Sequence, residues 1–185
     1  MTRSFRNLFW GASLLGVLAA DPALAETQQT LAAVGTGVAI ALPIAAAGIS
    51  YSKNDWEGIG QLALTTGATV GTALLLKQFV KEERPDYSDN RSFPSETAAL
   101  AFAPASYLWD RYGWEYGVPA YGAAIFSGYT RVAAQDHHWW DVAASAGIAW
   151  GYTFLFTSHW HYAYNINSSI EVTPKQAFAS LSYRW

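Results

Sequence analysis

Five stretches of the chain carry no Asp, Glu, Lys or Arg: 30–52, 58–76, 97–109, 116–130 and 142–158. Each is rich in small and aliphatic residues and exceeds ordinary strand length, so the pattern predicts helices. The first runs from Thr30 to Ser52 with Pro43 inside it; the second runs from Gly58 to Leu76 and stops at Lys77. Both are long enough to cross a hydrocarbon layer of about 30 Å, and the three shorter runs are marginal by that measure. Trp56, Trp109, Trp114, Trp139 and Trp140 lie near run ends, where an aromatic belt would place them. The same runs also suit a soluble bundle of mutually buried helices, and a mean hydropathy of +0.06 keeps that alternative open.

The two ends have a different texture. Arg3 and Arg6 precede an uncharged run from Asn7 to Ala20, followed by Asp21 and then Ala23-Leu24-Ala25 before Glu26. Basic, apolar, small-x-small is the layout of a cleaved export signal. A first membrane helix is the alternative, although the apolar part is short for one. Beyond Ser158, Ala177, Ala179, Leu181, Tyr183 and Trp185 alternate with Phe178, Ser180, Ser182 and Arg184, a period of two. Trp160, Tyr162, Tyr164 and Ile166 alternate similarly, and Thr173-Pro174-Lys175 reads as a turn. The expected fold class is therefore all-α: a signal peptide at 1–25, a bundle of about five helices over 26–158, and a short C-terminal β-hairpin over 159–185. Laid out as alternating spans after export, the runs would deliver Lys77, Arg84, Arg131 and His137 to one periplasmic face of a bacterial envelope.

Composition narrows the function classes. Of the 185 residues only 14% are charged, against about 25% in ordinary domains, and there are nine Trp. A net charge of -3 gives no reason to expect nucleic acid as a partner. Cysteine is absent, and none of His137, His138, His159 and His161 pairs at the i, i+4 spacing of zinc proteases. No metal and no cofactor are expected.

The polar chemistry collects at the run ends, in three clusters: Lys77 to Arg84-Pro85, Pro94-Ser95-Glu96-Thr97, and Arg131 to His137 and Asp141. Phosphoryl transfer asks for cations on the nonbridging oxygens, a nucleophile in line and help for the leaving group. Lys77 and Arg84 are expected at the end of one helix, with Pro85 stopping it. Arg131 adds a guanidinium fork suited to bidentate phosphate contact. Ser95 is a natural N-cap of the third helix, where its hydroxyl and the free N–H groups behind it would form an anion site. His137 and Asp141, four apart, are expected on one helix face, where the carboxylate would fix the imidazole's tautomer. Taken singly, each feature has an ordinary structural explanation: a dipole partner, a cap, a surface pair. Their order and spacing together are more specific.

These clusters resemble the signature of the type 2 phosphatidic acid phosphatase superfamily, which also holds bacterial acid phosphatases and vanadium haloperoxidases. Its pattern is Lys-x6-Arg-Pro, then Pro-Ser-Gly-His, then Ser-Arg-x5-His-x3-Asp. Lys77, Arg84 and Pro85 match the first part; Arg131, His137 and Asp141 match the third, with Thr130 in place of Ser. The resemblance implies a helical bundle and a phosphatase that works without metal through a phosphohistidine on His137. It also implies phosphate binding by Lys77, Arg84, Ser95 and Arg131. His138, next to that position, would be turned about 100° away on a helix.

The second cluster departs from the pattern, since Glu96-Thr97 stands where the family has Gly-His. The family's His protonates the leaving oxygen and Thr cannot, which typically costs about 10²–10⁴ in rate. A phosphate leaving group tolerates that loss best, so a pyrophosphate linkage, as in a polyprenyl diphosphate or a lipid A diphosphate, becomes a natural substrate beside a lipid phosphate. Alternatively Glu96, with a pKa raised by burial, would donate the proton. The expected function is an envelope lipid phosphatase or diphosphatase. A catalytically impaired binding or structural module and a lipid phosphotransferase are the alternatives. The lipid and the oligomeric state have no signature in the sequence.

Overall fold

The computed structural model describes the backbone of residues 22–160, 167–173 and 176–182, and the side chains of 26–160. Among the described residues five helices follow one another: α1 (Pro22–Ser52), α2 (Trp56–Phe79), α3 (Glu96–Tyr112), α4 (Trp114–Ala133) and α5 (Trp139–Phe156). Each of the last three extends past its charge-free run, because the helix ends carry the charges the runs leave out: Glu96, Arg111, Glu115, Arg131 and Asp141. Strands β1 (Asn167–Thr173) and β2 (Gln176–Ser182) run antiparallel, with Asn167 opposite Ser182. The expected first strand at 160–166 falls almost wholly outside the described residues, as do the turn at 174–175 and the signal-like segment 1–21.

α3 is the pillar of the bundle. Every residue from Ala101 to Leu108 is buried, and a helix apolar all round belongs in the interior. Its small side chains, with Ala98, Ala99, Ala101, Ala103 and Ala105 fully covered, let all four other helices pack closely against it. The outer helices are inverted in pattern. Ile44, Leu64, Leu75, Phe79, Ile125, Trp150, Phe154 and Leu155 are exposed, while the polar groups Ser50, Thr65, Thr69, Ser127 and Ser145 face inward. Among the described residues two helices, Glu26–Ser52 and Trp56–Phe79, are long and apolar enough to cross a membrane. Trp139 and Trp140 are exposed at one end of the bundle, Trp56, Trp109 and Trp114 at the other.

α1 and α4 meet at a notch. A Cβ on Gly35 would sit 1.7 Å from Thr130 Oγ1, so the close approach depends on glycine. Ser127 Oγ donates to Gly35 O at 2.9 Å across the same contact. This approach brings α1 backbone within reach of the last turn of α4, where Arg131 stands.

At the bundle end away from Lys77, Asp55 caps α2 by accepting from Gly58 N at 2.8 Å. The same carboxylate takes two bonds from Arg111, Nε to Oδ2 at 2.8 Å and NH2 to Oδ1 at 2.7 Å. Tyr112 adds a third donor at 2.7 Å, and Arg111 NH1 reaches Ser158 O at 2.7 Å, tying the start of α2, the end of α3 and the exit of α5 together.

Candidate active site

The opposite end gathers the three clusters. α2 stops at Phe79 with Val80 extended, five residues short of Arg84, so Lys77 is helical and Arg84 is not. That corrects the expectation of one helix end for both. Residues 80–95 instead fold back as a loop closed by an isolated bridge between Glu82 and Arg91 and by Arg84 N donating to Asp89 O at 3.0 Å. The loop hands over to α3 at Ser95, whose hydroxyl accepts from Ala98 N at 3.3 Å as the expected N-cap. Ser95 is fully buried and its carbonyl takes the Ser145 hydroxyl at 2.8 Å, so its side chain serves the helix start in this state.

His137 is not on a helix either. α5 starts at Trp139 with His138 as its N-cap, so the expected one-face i, i+4 pairing becomes a loop residue packed against the first turn. The pair forms nonetheless: His137 Nδ1 lies 3.4 Å from Asp141 Oδ2, both side chains almost completely buried. His137 N donates to Arg131 O at 3.3 Å, which seats the imidazole directly beside the end of α4. Asp141 is steadied by Ser92 Oγ and by His138 N at 2.8 Å. Burial alone would push its carboxyl up, but His137, Ser92 and the His138 N–H together hold it below the usual carboxylate value. Asp141 therefore stays an acceptor facing His137 Nδ1, which makes no hydrogen bond at this 3.4 Å separation.

His138, expected to turn away along a helix, instead caps it. Its ring stacks on Trp140 at 4.3 Å and its Nδ1 lies 3.7 Å from Glu82 Oε1, which also accepts from Trp140 Nε1. Glu82, His138 and Asp141 offer ligand atoms within 4.8 Å of one another. The oxygens that face inward there already take the Trp140, Ser92 and His138 donors, so the group reads as a hydrogen-bonded clasp between loop and α5.

Each cation of the cradle carries a carboxylate. Lys77, buried, pairs with Glu96 Oε2 at 2.7 Å and also donates to the carbonyls of Arg91 and Ser92. Arg84 Nε meets Asp89 Oδ1 at 2.8 Å, and its NH1 donates to Asp136 O at 3.2 Å. Arg131 NH2 meets Asp136 Oδ2 at 2.8 Å, while its NH1 leans on Ala32 O and Thr36 Oγ1 of α1. Burial pushes the Glu96 carboxyl up, but Lys77 outweighs it and the net shift is downward. Glu96 is thus held as the carboxylate partner of Lys77, with its pKa shifted down and not up as the expectation of an acid at this position requires. Asp136, Ser92, Asp89 and Glu82 were not singled out by sequence reasoning. Asp136 falls in the unspecified x5 stretch of the third motif, and its place directly before His137 was the one available signal.

Glu96, Asp141, Asp55 and Asp89 are all depressed from ordinary values of 3.8 to 4.5 and lie at helix ends or in loops. Their unfolded forms bind protons first on acidification, so the stability they contribute is complete above about pH 4.5 and is lost as the pH falls through the lower folded values. Denaturation midpoints should stay flat from about pH 7 to about pH 5 and drop below that. A midpoint that rises on acidification would contradict these pairings.

Lys77, Arg84, Arg131 and the buried His137–Asp141 pair thus all lie at the same end of this helical bundle. The chain belongs to the PAP2 superfamily, whose family model matches residues 58–165. It is 31% identical over 160 residues to a lipid A 4'-phosphatase of Helicobacter pylori, covering 78% of this chain and 80% of that one. Its fold is similar to the crystal structure of Aquifex aeolicus LpxE, with a TM-score of 0.56 and 25% identity, covering 74% of this chain and 87% of the other. A transmembrane PAP2-type phosphatidylglycerolphosphate phosphatase from Bacillus subtilis shares the fold with a TM-score of 0.55 at 23% identity, over 76% and 78% of the two chains.

Proposed function

We propose that this protein is a membrane-embedded lipid phosphatase of the bacterial envelope, using His137 as nucleophile on a phosphorylated lipid. The seating of the buried His137–Asp141 pair beside the end of α4, where Arg131 stands, carries this reading. His137 Nε2 attacks phosphorus, the bond from phosphorus to the leaving oxygen breaks, and a phosphohistidine forms. Water then cleaves the P–N bond and orthophosphate leaves. Lys77, Arg84 and Arg131 stabilise the charge on the equatorial oxygens, and Asp141 steadies the imidazolium. A phosphorylated lipid of the lipid A kind is supported by the H. pylori relative and by the exposed apolar flanks of the bundle, while a diphosphate or a polyprenyl lipid rests on the leaving-group argument alone. The site would face the periplasm, with residues 1–25 removed as a signal.

Thr97 and the ionised Glu96 leave the leaving oxygen without an obvious proton donor. This favours diphosphate over monoester substrates, and it is also the observation that favours a binding module with little turnover. Phosphate release by purified protein from paired mono- and diphosphate lipids separates the two. Turnover of the diphosphate, with Thr97→His raising the monoester rate about 10²-fold, supports the enzyme. Release from neither lipid by a protein that binds both supports the module, and an unaltered monoester rate removes the leaving-group account.

A further inference from the structure

Asp136 has an unusual position. Its Oδ2 lies 2.8 Å from Arg131 NH2, its Oδ1 3.9 Å from Arg84 NH1, and its carbonyl accepts from Arg84 at 3.2 Å. One carboxylate therefore spans two of the three cations assigned to phosphate, one residue before the nucleophile. Two oxygens on one carbon, set between two guanidiniums, occupy the same kind of place that two nonbridging phosphate oxygens would take. Asp136 is partly exposed and borders a cavity of about 300 Å³ lined also by Gln28, Gln29, Ala32, Asp86 and Ala134. The side chain thus has room beside the two guanidiniums.

We propose that Asp136 is a specificity-determining residue, an internal competitor that an incoming phosphate must displace from Arg84 and Arg131. The inference rests on the phosphatase reading and deepens it. A lipid substrate brings binding energy from its hydrocarbon chains and can meet the cost of displacement. Free orthophosphate brings none, so it is held weakly and leaves after each turnover. An acceptor that bound both equally would gain affinity without gaining rate.

The test compares the full chain with its Asp136→Asn variant in detergent, reading inhibition of lipid-phosphate hydrolysis by orthophosphate and by orthovanadate. The variant keeps the size of the side chain and removes its charge. Both inhibition constants should fall about five- to tenfold, the range that about 1–1.4 kcal/mol of lost ion-pair competition gives. A purely structural tie would move them the other way, because loosened guanidiniums bind anions worse. Unchanged or weaker inhibition in a variant that still hydrolyses lipid overturns the role of Asp136 and leaves the phosphatase reading standing. Wild-type protein that neither binds orthovanadate nor releases phosphate overturns both. Should the variant not fold, a vanadate-bound structure of the wild-type chain decides: Asp136 detached from Arg131 supports competition, and Asp136 still paired overturns it.

Discussion

Replacing His137 with alanine is expected to lower phosphate release about 10⁴-fold or more, the scale on which removal of a nucleophile acts. The loss should appear in turnover and not in lipid binding, because Lys77, Arg84 and Arg131 are held by contacts that do not pass through the imidazole ring: Glu96, Asp89, Asp136 and the α1 acceptors. The fold should survive, since Asp141 keeps Ser92 Oγ and the His138 N–H as partners when the ring is gone. Labelled substrate quenched during turnover should leave acid-labile, base-stable phosphate on the wild-type chain and none on the variant. Label retained by the variant, or a rate within tenfold of wild type, would mean that another group attacks.

The second large effect lies at the other end of the bundle. Asp55→Ala strands the Arg111 guanidinium in a site where both side chains are less than a twentieth exposed. Breaking such a pair by removing one partner costs about 3–5 kcal/mol, because the remaining charge is buried without compensation. That is a large part of the stability of most domains, so the variant should accumulate poorly and unfold at far lower denaturant. Asp55→Ala with Arg111→Ala should lose much less than the two single losses added together, since the groups share one network with Tyr112 and Ser158. A single-variant loss under about 1 kcal/mol would show that water reaches the pair and screens it.

These two ends were unequally legible in the sequence. The Lys77–Arg84, Arg131–His137–Asp141 and Ser95 positions could be read because the chemistry fixes residue type at fixed local spacing, and the charge-free runs between them marked the helices. The boundaries were less accessible. Pro85 marks a place where a helix cannot continue, yet α2 ends earlier at Phe79, because Val80 turns extended and the loop closes on the Glu82–Arg91 bridge. His137 and Asp141 are four apart in both a helix and the observed loop-to-helix entry, so spacing alone could not tell them apart. Glu96 took its expected role from its position, whereas its protonation is decided by Lys77, nineteen residues earlier and adjacent only once the bundle forms. The Asp55–Arg111 pair, 56 residues apart, left no local mark at all.

The lean of Arg131 on α1 bears on what the smallest working unit can be. The family match starts at residue 58, after α1 has ended, yet Ala32 O, Thr36 Oγ1 and the Gly35 notch all lie on that helix. A minimal catalytic fragment cut at the motif boundary would keep every signature residue and still leave one guanidinium without its backing wall. The scaffolding of Arg131, in this chain, begins upstream of the stretch the family model matches.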